Sequence, residues 1–327
     1  MYKCGFIDDR TMEKIKIKAK EDGMESWIWA RVLDIYEEEM ERGKTHEFDC
    51  IIFDNKNTNR KYQLIDTPGH QKFVRSMIEG ISQNVNIGIV LISMKDNEFE
   101  ASFGPGMMKE HLILARAIGI EHLVLIANKM DIIDWDEKKC KEKIIAVTKY
   151  LVKTLMWPKE NLHVVPISAF SGIGLMNSEG LPKWYKGKSF IETLDDIPSN
   201  TSEKDIELKH VDSNRIVVEL TNVGSANSYS IVENTHSVQN DSNNNEKENS
   251  VSTIISAGYF CMAHFNGIES EVHVEKISNG GKPFLRSGEK AKCILLLQSK
   301  YSVAVGMRII LRKNNNTVAF GTVTKSF

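Results

Sequence analysis

With 327 residues the chain has room for about two domains. Its 42 Lys plus Arg oppose 44 Asp plus Glu, a formal net charge of -2, which excludes a protein that coats nucleic acid by bulk charge; no DNA partner is expected. Hydrophobic residues at 41% and charged residues at 26% exclude wholesale disorder.

In chain order, the N-terminal stretch Met1–Asp9 has no apolar signal core and turns acidic at once. Asp49–Phe53 reads as a short strand and Lys61–Ile65 as a fuller one. Gln71–Gly80 reads as a helix, Asn86–Ile92 as a strand, Met107–Ile118 as a helix with Gly119 at its C-cap, and His122–Ala127 as a strand. Glu137–Met156 reads as a helix, because Ile144, Val147, Leu151 and Leu155 form one apolar stripe and Pro158 lies just past its end. His163–Ile167 is strand-like. Alternation of this kind predicts a mostly parallel sheet covered on both faces.

The pattern changes near residue 200. Thr235–Ser250, rich in Asn, Ser, Glu and Lys, reads as a solvated linker. Around it lie the short β-type runs Ile216–Leu220, Val251–Ile255, Glu271–Val274, Lys292–Leu297, Val303–Leu311 and Thr317–Thr324, as in a small barrel or sandwich. The longest apolar runs, Ile87–Ser93 and Ile294–Leu297, are far too short to span a bilayer, so no membrane partner is expected. Cysteines at 4, 50, 140, 261 and 293 make no CxxC pair, and are expected as free thiols in a reducing cytoplasm.

The strongest short signal is Asn128-Lys129-Met130-Asp131, directly after a strand, where parallel sheets bind ligands. A carboxylate only accepts, so Asp131 can take two hydrogen bonds from the N1–H and amino group of guanine, an edge adenine does not offer. Asn128 supplies both a donor and an acceptor, and the Lys129 stem can lie along the base plane. Three specified residues recur by chance in roughly one chain of this length in twenty-five, so the match is informative, although a polar strand-to-helix turn would look the same.

Asp66-Thr67-Pro68-Gly69-His70 follows another strand. Asp66 can hold Mg²⁺ through water, Gly69 lets the backbone N–H approach a terminal phosphate, and His70 can orient an attacking water. The segment is otherwise a Pro-Gly turn. Ser168-Ala169-Phe170 offers backbone N–H groups to the guanine O6, and on its own is an ordinary turn. In Glu41-Arg42-Gly43-Lys44-Thr45, the Thr45 hydroxyl can ligate Mg²⁺, although such a charged run also suits a solvated helix end.

These segments, in this order, resemble the translational GTPases of the elongation factor 1-alpha class, and within it the branch of GTP-binding subunits of the eukaryotic peptide chain release factor. The likeness runs through Arg10-Thr11-Met12-Glu13-Lys14, Glu25-Ser26-Trp27, Val32-Leu33-Asp34, Glu41–Thr45, Asp66–His70, Phe73 and Met77-Ile78. It continues through Glu98-Phe99-Glu100-Ala101, Asn128–Asp131 and Trp184-Tyr185-Lys186-Gly187, and reappears at Gly258-Tyr259, Cys261, His264, Glu271-Val272, Leu311-Arg312 and Thr317-Val318-Ala319.

The resemblance implies a P-loop-GTPase-like α/β domain over 1–200, a remnant of a second β-barrel with linker over 201–250, and a C-terminal β-barrel over 251–327. It implies GTP or GDP bound with Mg²⁺. Asn128, Lys129, Met130, Asp131, Ser168, Ala169 and Phe170 would sit at the base. Asp66, Thr67, Pro68, Gly69 and His70 would sit at the γ-phosphate. Thr45 and Asp66 would hold the metal, and His70 would position the hydrolytic water. The ribosome and a stop-codon-reading release factor, docked by the C-terminal barrel, would be the partners. Ribosome rescue or elongation remain open as alternative roles.

One part of the family pattern is missing. The sequence contains no G-x-x-x-x-G-K-[ST]; in the resembling family that loop, preceded by the first strand, lies upstream of the point where this sequence starts. Without its phosphate contacts, nucleotide binding is expected to weaken by at least about a thousandfold. The absent strand lies between the strand ending at Asp66 and Asn86–Ile92, so a gap of about 10 Å or two unpaired edges is expected. The sequence is therefore expected to be either a piece of a longer GTP-hydrolysing factor or a reduced, nucleotide-free partner-binding relative.

Overall fold

The computed structural model describes residues 9–21, 49–55, 58, 60–66, 85–104, 106–198, 210–223, 253–314 and 316–327. It divides into two compact units. One comprises Met1–Glu100, Ile120–Thr148 and Pro158–Ser202; the other comprises Ala101–Gly119, Lys149–Trp157 and Glu203–Phe327.

The first unit contains helix α1 (Asp9–Glu21), whose buried Met12 and Ile15 are one turn apart. Strands β1 (Asp49–Asn55) and β2 (Arg60–Asp66) form an antiparallel hairpin, from Asp49 opposite Asp66 to Asn55 opposite Arg60. Strands β3 (Ile87–Ser93), β4 (His122–Asn128) and β5 (Leu162–Pro166) form a separate parallel sheet. Leu123–Ala127 of central β4 are all buried, which is why its sequence is a continuous apolar run rather than an alternating one.

Among the described residues β1–β2 and β3–β5 share no ladder. Edge strand β3 leaves Ile89 and Leu91 exposed on one face, Leu91 at 63%. The hairpin is instead held by the short helix α5 (Phe190–Asp196). Tyr62 donates its hydroxyl to Asp195, and Arg60 Nη1 donates to the Ile197 carbonyl at 3.1 Å. Helix α5 has a full capping box between Ser189 and Glu192, and lays Ile191 and Leu194 on Val124, Ile126 and Val165.

Helix α2 (Glu98–Phe103) and helix α3 (Met108–Ile118) follow β3. Gly119 caps α3 as expected, at φ 98° with its N–H on the Ala115 carbonyl. Helix α4 (Glu137–Lys153) is three residues shorter than its apolar stripe suggests. Its end widens as it closes: Leu155 N–H reaches back five residues to the Tyr150 carbonyl, Trp157 N–H reaches Leu151, and Met156 takes the left-handed conformation at φ 52°.

The second unit is built on a closed six-stranded barrel. Its strands are β6 (His210–Asn222), β8 (Phe260–Phe265), β9 (Ile268–Ser278), β11 (Lys290–Ala304), β12 (Arg308–Lys313) and β13 (Asn316–Ser326), with β7 (Ile255–Ser256) paired to β10 (Phe284–Leu285) beside it. Around the barrel the order is β11-β6-β13-β12-β8-β9.

Two expectations change here. The run around Ile216–Leu220, expected within the remnant of a second barrel, is a strand of this closed barrel. It pairs with β11 and β13, and its inward Ile216, Val218 and Leu220 belong to the same core as Leu295 and Val323. The run Val303–Leu311 is two strands, split at a turn where Gly306 adopts φ 94°.

Two of this unit's buried polar side chains are held by several partners each. Glu110 of α3 is buried and accepts from Thr317 N–H at 3.0 Å and Thr317 Oγ1 at 2.7 Å, with Arg312 Nη2 at 3.6 Å. Asn222 donates to the Thr253 and Leu285 carbonyls, each at 2.8 Å. No described helix is long and apolar enough to cross a membrane.

Candidate functional site: a guanine-type loop pair

The site is built where β4 and β5 end side by side. The register Ala127 opposite Pro166 puts residues 128–131 and 167–170 in adjacent loops. Ile167 N–H donates to the Ala127 carbonyl at 2.8 Å, and Met130 N–H donates to the Ile167 carbonyl at 3.2 Å. Asn128 completes the tie: its Oδ1 accepts from Lys129 N–H at 2.8 Å and from Ala169 N–H at 3.0 Å. Its own carbonyl accepts from Met94 N–H at 2.9 Å, so one residue links the ends of all three parallel strands.

The sequence order of the motif is used up in local geometry. Lys129 is left-handed at φ 67°, which turns the chain sharply at the strand end, and Met130 is fully buried as the anchor of the 3₁₀ turn Met130–Ile133. Asp131 is exposed immediately beyond that anchor. Ser168 is fully buried: its N–H goes to the Ile173 carbonyl at 3.1 Å and its Oγ accepts from Ser171 N–H at 3.2 Å. Two N–H groups expected to face a base oxygen, those of Ser168 and Ala169, thus serve the loop itself. Phe170 is 77% exposed.

The motif's lysine has a partner that spacing did not reveal. Lys129 Nζ is paired with Glu98, at the start of α2, and Glu98 also accepts from Ser93 Oγ at 2.7 Å and lies 3.1 Å from Lys95 Nζ. The Lys129 hydrogen bond first, then Ser93 and Lys95, hold the Glu98 carboxyl down to about 2. The usable signal for Glu98 was its position, five residues past the end of β3 on the edge where parallel sheets bind ligands. A depression lined by Ile132, Ile133, Glu137, Lys141 and Ile145 lies further along the chain and includes none of the motif residues.

The phosphate side of the site is not described. Thr45, Thr67, Pro68, Gly69 and His70 lie outside the described residues. Asp66 ends β2 opposite Asp49. Among the described residues no group of three His, Cys, Asp or Glu is placed to hold a metal ion.

The strand-end loop pair lies in one unit and the closed barrel in the other. Residues 1–202 match the elongation factor Tu GTP binding domain and residues 244–326 match the elongation factor Tu C-terminal domain; the chain belongs to the elongation factor Tu GTP-binding family. Over 201 residues it is 39% identical to the eukaryotic peptide chain release factor GTP-binding subunit of Schizosaccharomyces pombe, covering 60% of this chain and 30% of that protein. Over 212 residues it is 38% identical to elongation factor 1-alpha 2 of Euplotes crassus, covering 64% and 47%. The S. cerevisiae Ski7 GTPase-like domain, solved bound to GDP and inorganic phosphate, shares the fold at a TM-score of 0.66 with 14% identity, covering 99% of this chain and 92% of that one. The chain spans 30% and 47% of the length of these two curated relatives.

Proposed function

We propose that the chain is a guanine-nucleotide-binding translation factor acting in cytoplasmic termination, beside a stop-codon-reading release factor on the ribosome. The observation that carries the nucleotide reading is the Asn128 tie, which joins the Asp131 turn to the Ser168–Phe170 loop and so brings together the two segments expected to flank a guanine. The termination branch rests on the similarity to the release factor subunit, and the same segments are compatible with an elongation role. Hydrolysis would draw on Thr45, Asp66, Gly69 and His70 with Mg²⁺, and is proposed only for a chain that carries a phosphate loop.

A second reading, a partner-binding module that uses no nucleotide, draws on the contrast between an interrupted sheet and a closed barrel. Calorimetric titration with GDP and ADP separates the two. Selective GDP binding supports the first, and no binding of either supports the second. Asp131→Asn gives a sharper check. An amide presents one acceptor and one donor, so it loses the guanine amino contact and gains one to a 2-oxo group. GDP affinity is expected to fall by about ten- to a hundredfold while xanthosine diphosphate affinity rises. If GDP and xanthosine diphosphate change in parallel, Asp131 does not read the base.

A further inference from the structure

Glu98 belongs to no assigned role, yet it is the most heavily coordinated carboxylate near the loop pair. It accepts from Lys129 Nζ and Ser93 Oγ and pairs with Lys95. The loop that presents it is itself held. Lys143 of α4 reaches up from a site where its side chain is only 11% exposed, donating to the Met94 carbonyl at 3.0 Å and the Lys95 carbonyl at 3.3 Å. It also lies 3.4 Å from Asp96 Oδ1, 3.9 Å from Glu100 Oε1, and over the Phe99 ring. Asn97, one residue before Glu98, is fixed in the left-handed conformation at φ 67°.

The other end of the lysine is equally constrained. The Lys129 backbone is left-handed and its N–H is on Asn128 Oδ1. A four-carbon stem clamped at both the Cα and the ammonium has few rotamers left. A free lysine side chain loses rotamer freedom when ordered, and a clamp set before binding removes part of that cost from the binding step.

We infer that Glu98 is a positioning residue for nucleotide binding: by holding the Lys129 ammonium it lays the lysine stem in place as one wall of the purine slot. The inference rests on the guanine-nucleotide reading of the site. It assigns Glu98 no contact with the base, so its effect passes through Lys129 and is blind to which purine is bound.

The test measures GDP and inosine diphosphate affinities for the full chain, for Glu98→Ala, Glu98→Gln and Lys129→Ala, and for the double variant Glu98→Ala/Lys129→Ala. Glu98→Ala is expected to weaken both nucleotides by the same factor, about fivefold, as for a partly exposed charged pair. Glu98→Gln, which keeps an acceptor of the same shape, should recover part of the loss. In the Lys129→Ala background Glu98→Ala should have no further effect. A merely structural role for Glu98 would persist there, so an additive double variant overturns the inference. Unchanged affinities in Glu98→Ala also overturn it while leaving the nucleotide reading intact, and a wild-type chain that binds neither nucleotide overturns both. Because Glu98 sits at the surface, its variants should melt with the wild type. Acylation of Lys129 by an amine-reactive ester, read by mass spectrometry, should rise in Glu98→Ala without any nucleotide present; equal reactivity in wild type and variant overturns the clamp.

Discussion

The two units solve the edge problem of β-structure in opposite ways. In the barrel unit every strand of the main sheet has a partner on both sides, and apolar residues alternate inward along β9 and β11. Among the described residues of the sheet unit only β4 has two neighbours, and β3 keeps Ile89 and Leu91 exposed. The residues of the candidate site stand at the ends of the three-stranded parallel sheet. The barrel, by contrast, carries its own closure. Chemistry and self-sufficiency are thus divided between the units, and the comparison can be broken by perturbing matched features in each.

The largest contrast is within β11, between neighbours that differ only in which way they face. Leu295 is fully buried and Leu296 is 39% exposed. Leu295→Ala removes a packed side chain from a closed core and should cost about 2–5 kcal/mol in urea unfolding, whereas Leu296→Ala should cost less than about 1 kcal/mol. Equal costs would mean that the barrel is not closed around that core.

Next come two asparagines with mirrored roles. Asn222 is fully buried and donates twice to backbone carbonyls that hold the β7 and β10 segments. Asn222→Ala leaves both carbonyls unpaired, and should cost about 2–3 kcal/mol. Asn128 accepts twice, in a half-buried position that water can reach. Asn128→Ala should therefore cost about 1 kcal/mol, yet strip Ala169 N–H of its protection from hydrogen exchange. If Ala169 stays protected in Asn128→Ala, the loop pair is held by something else.

Much of this was readable from residues alone, and the failures have causes. β4 was legible because a strand buried on both faces reads as one apolar run, and Asn128–Asp131 followed it directly. The strand in 210–222 was also visible, but its barrel membership was not: period-2 alternation gives a strand its faces and says nothing about which strand it pairs with. The end of α4 was overshot because Leu155 continues the apolar stripe geometrically after the helix has closed at Lys153. Short Phe260–Phe265 was missed, since Cys261, Ala263 and Phe265 face inward while Met262 and His264 between them look polar only in part. At the site, the Asn128 motif was legible as a pattern, while the Glu98 partner of Lys129 was not. The two lie 31 residues apart and meet only because β3 and β4 run parallel in register.

The smallest effects are slopes with pH, and they carry opposite signs for Glu110 in the barrel unit and His163 in the sheet unit. Burial raises the Glu110 carboxyl above its ordinary value, outweighing the Thr317 hydrogen bonds and the Arg312 charge that pull it down. Tyr150 and His111 stand with it in the same unit. The folded state therefore holds the Glu110 proton more tightly than the unfolded chain, and stability falls as pH rises from the ordinary carboxylate value toward the raised one. In the sheet unit burial lowers His163, assisted by His122, whose Nδ1 lies 3.5 Å from His163 Nε2. The folded state resists that proton, so stability is intact above about pH 6.5 and falls as pH drops below it. Burial also lowers His111, which gives the barrel unit a slope of the second sign and makes single substitutions necessary to separate them. Urea midpoints measured between the carboxylate range and neutrality should show a shallower high-pH decline in Glu110→Gln and a shallower low-pH decline in His163→Gln, with His111 supplying the rest of the low-pH limb. If Glu110→Gln leaves the high-pH limb unchanged, the buried carboxylate is ionised at no cost, and the Arg312 charge, rather than desolvation, governs that corner of the fold.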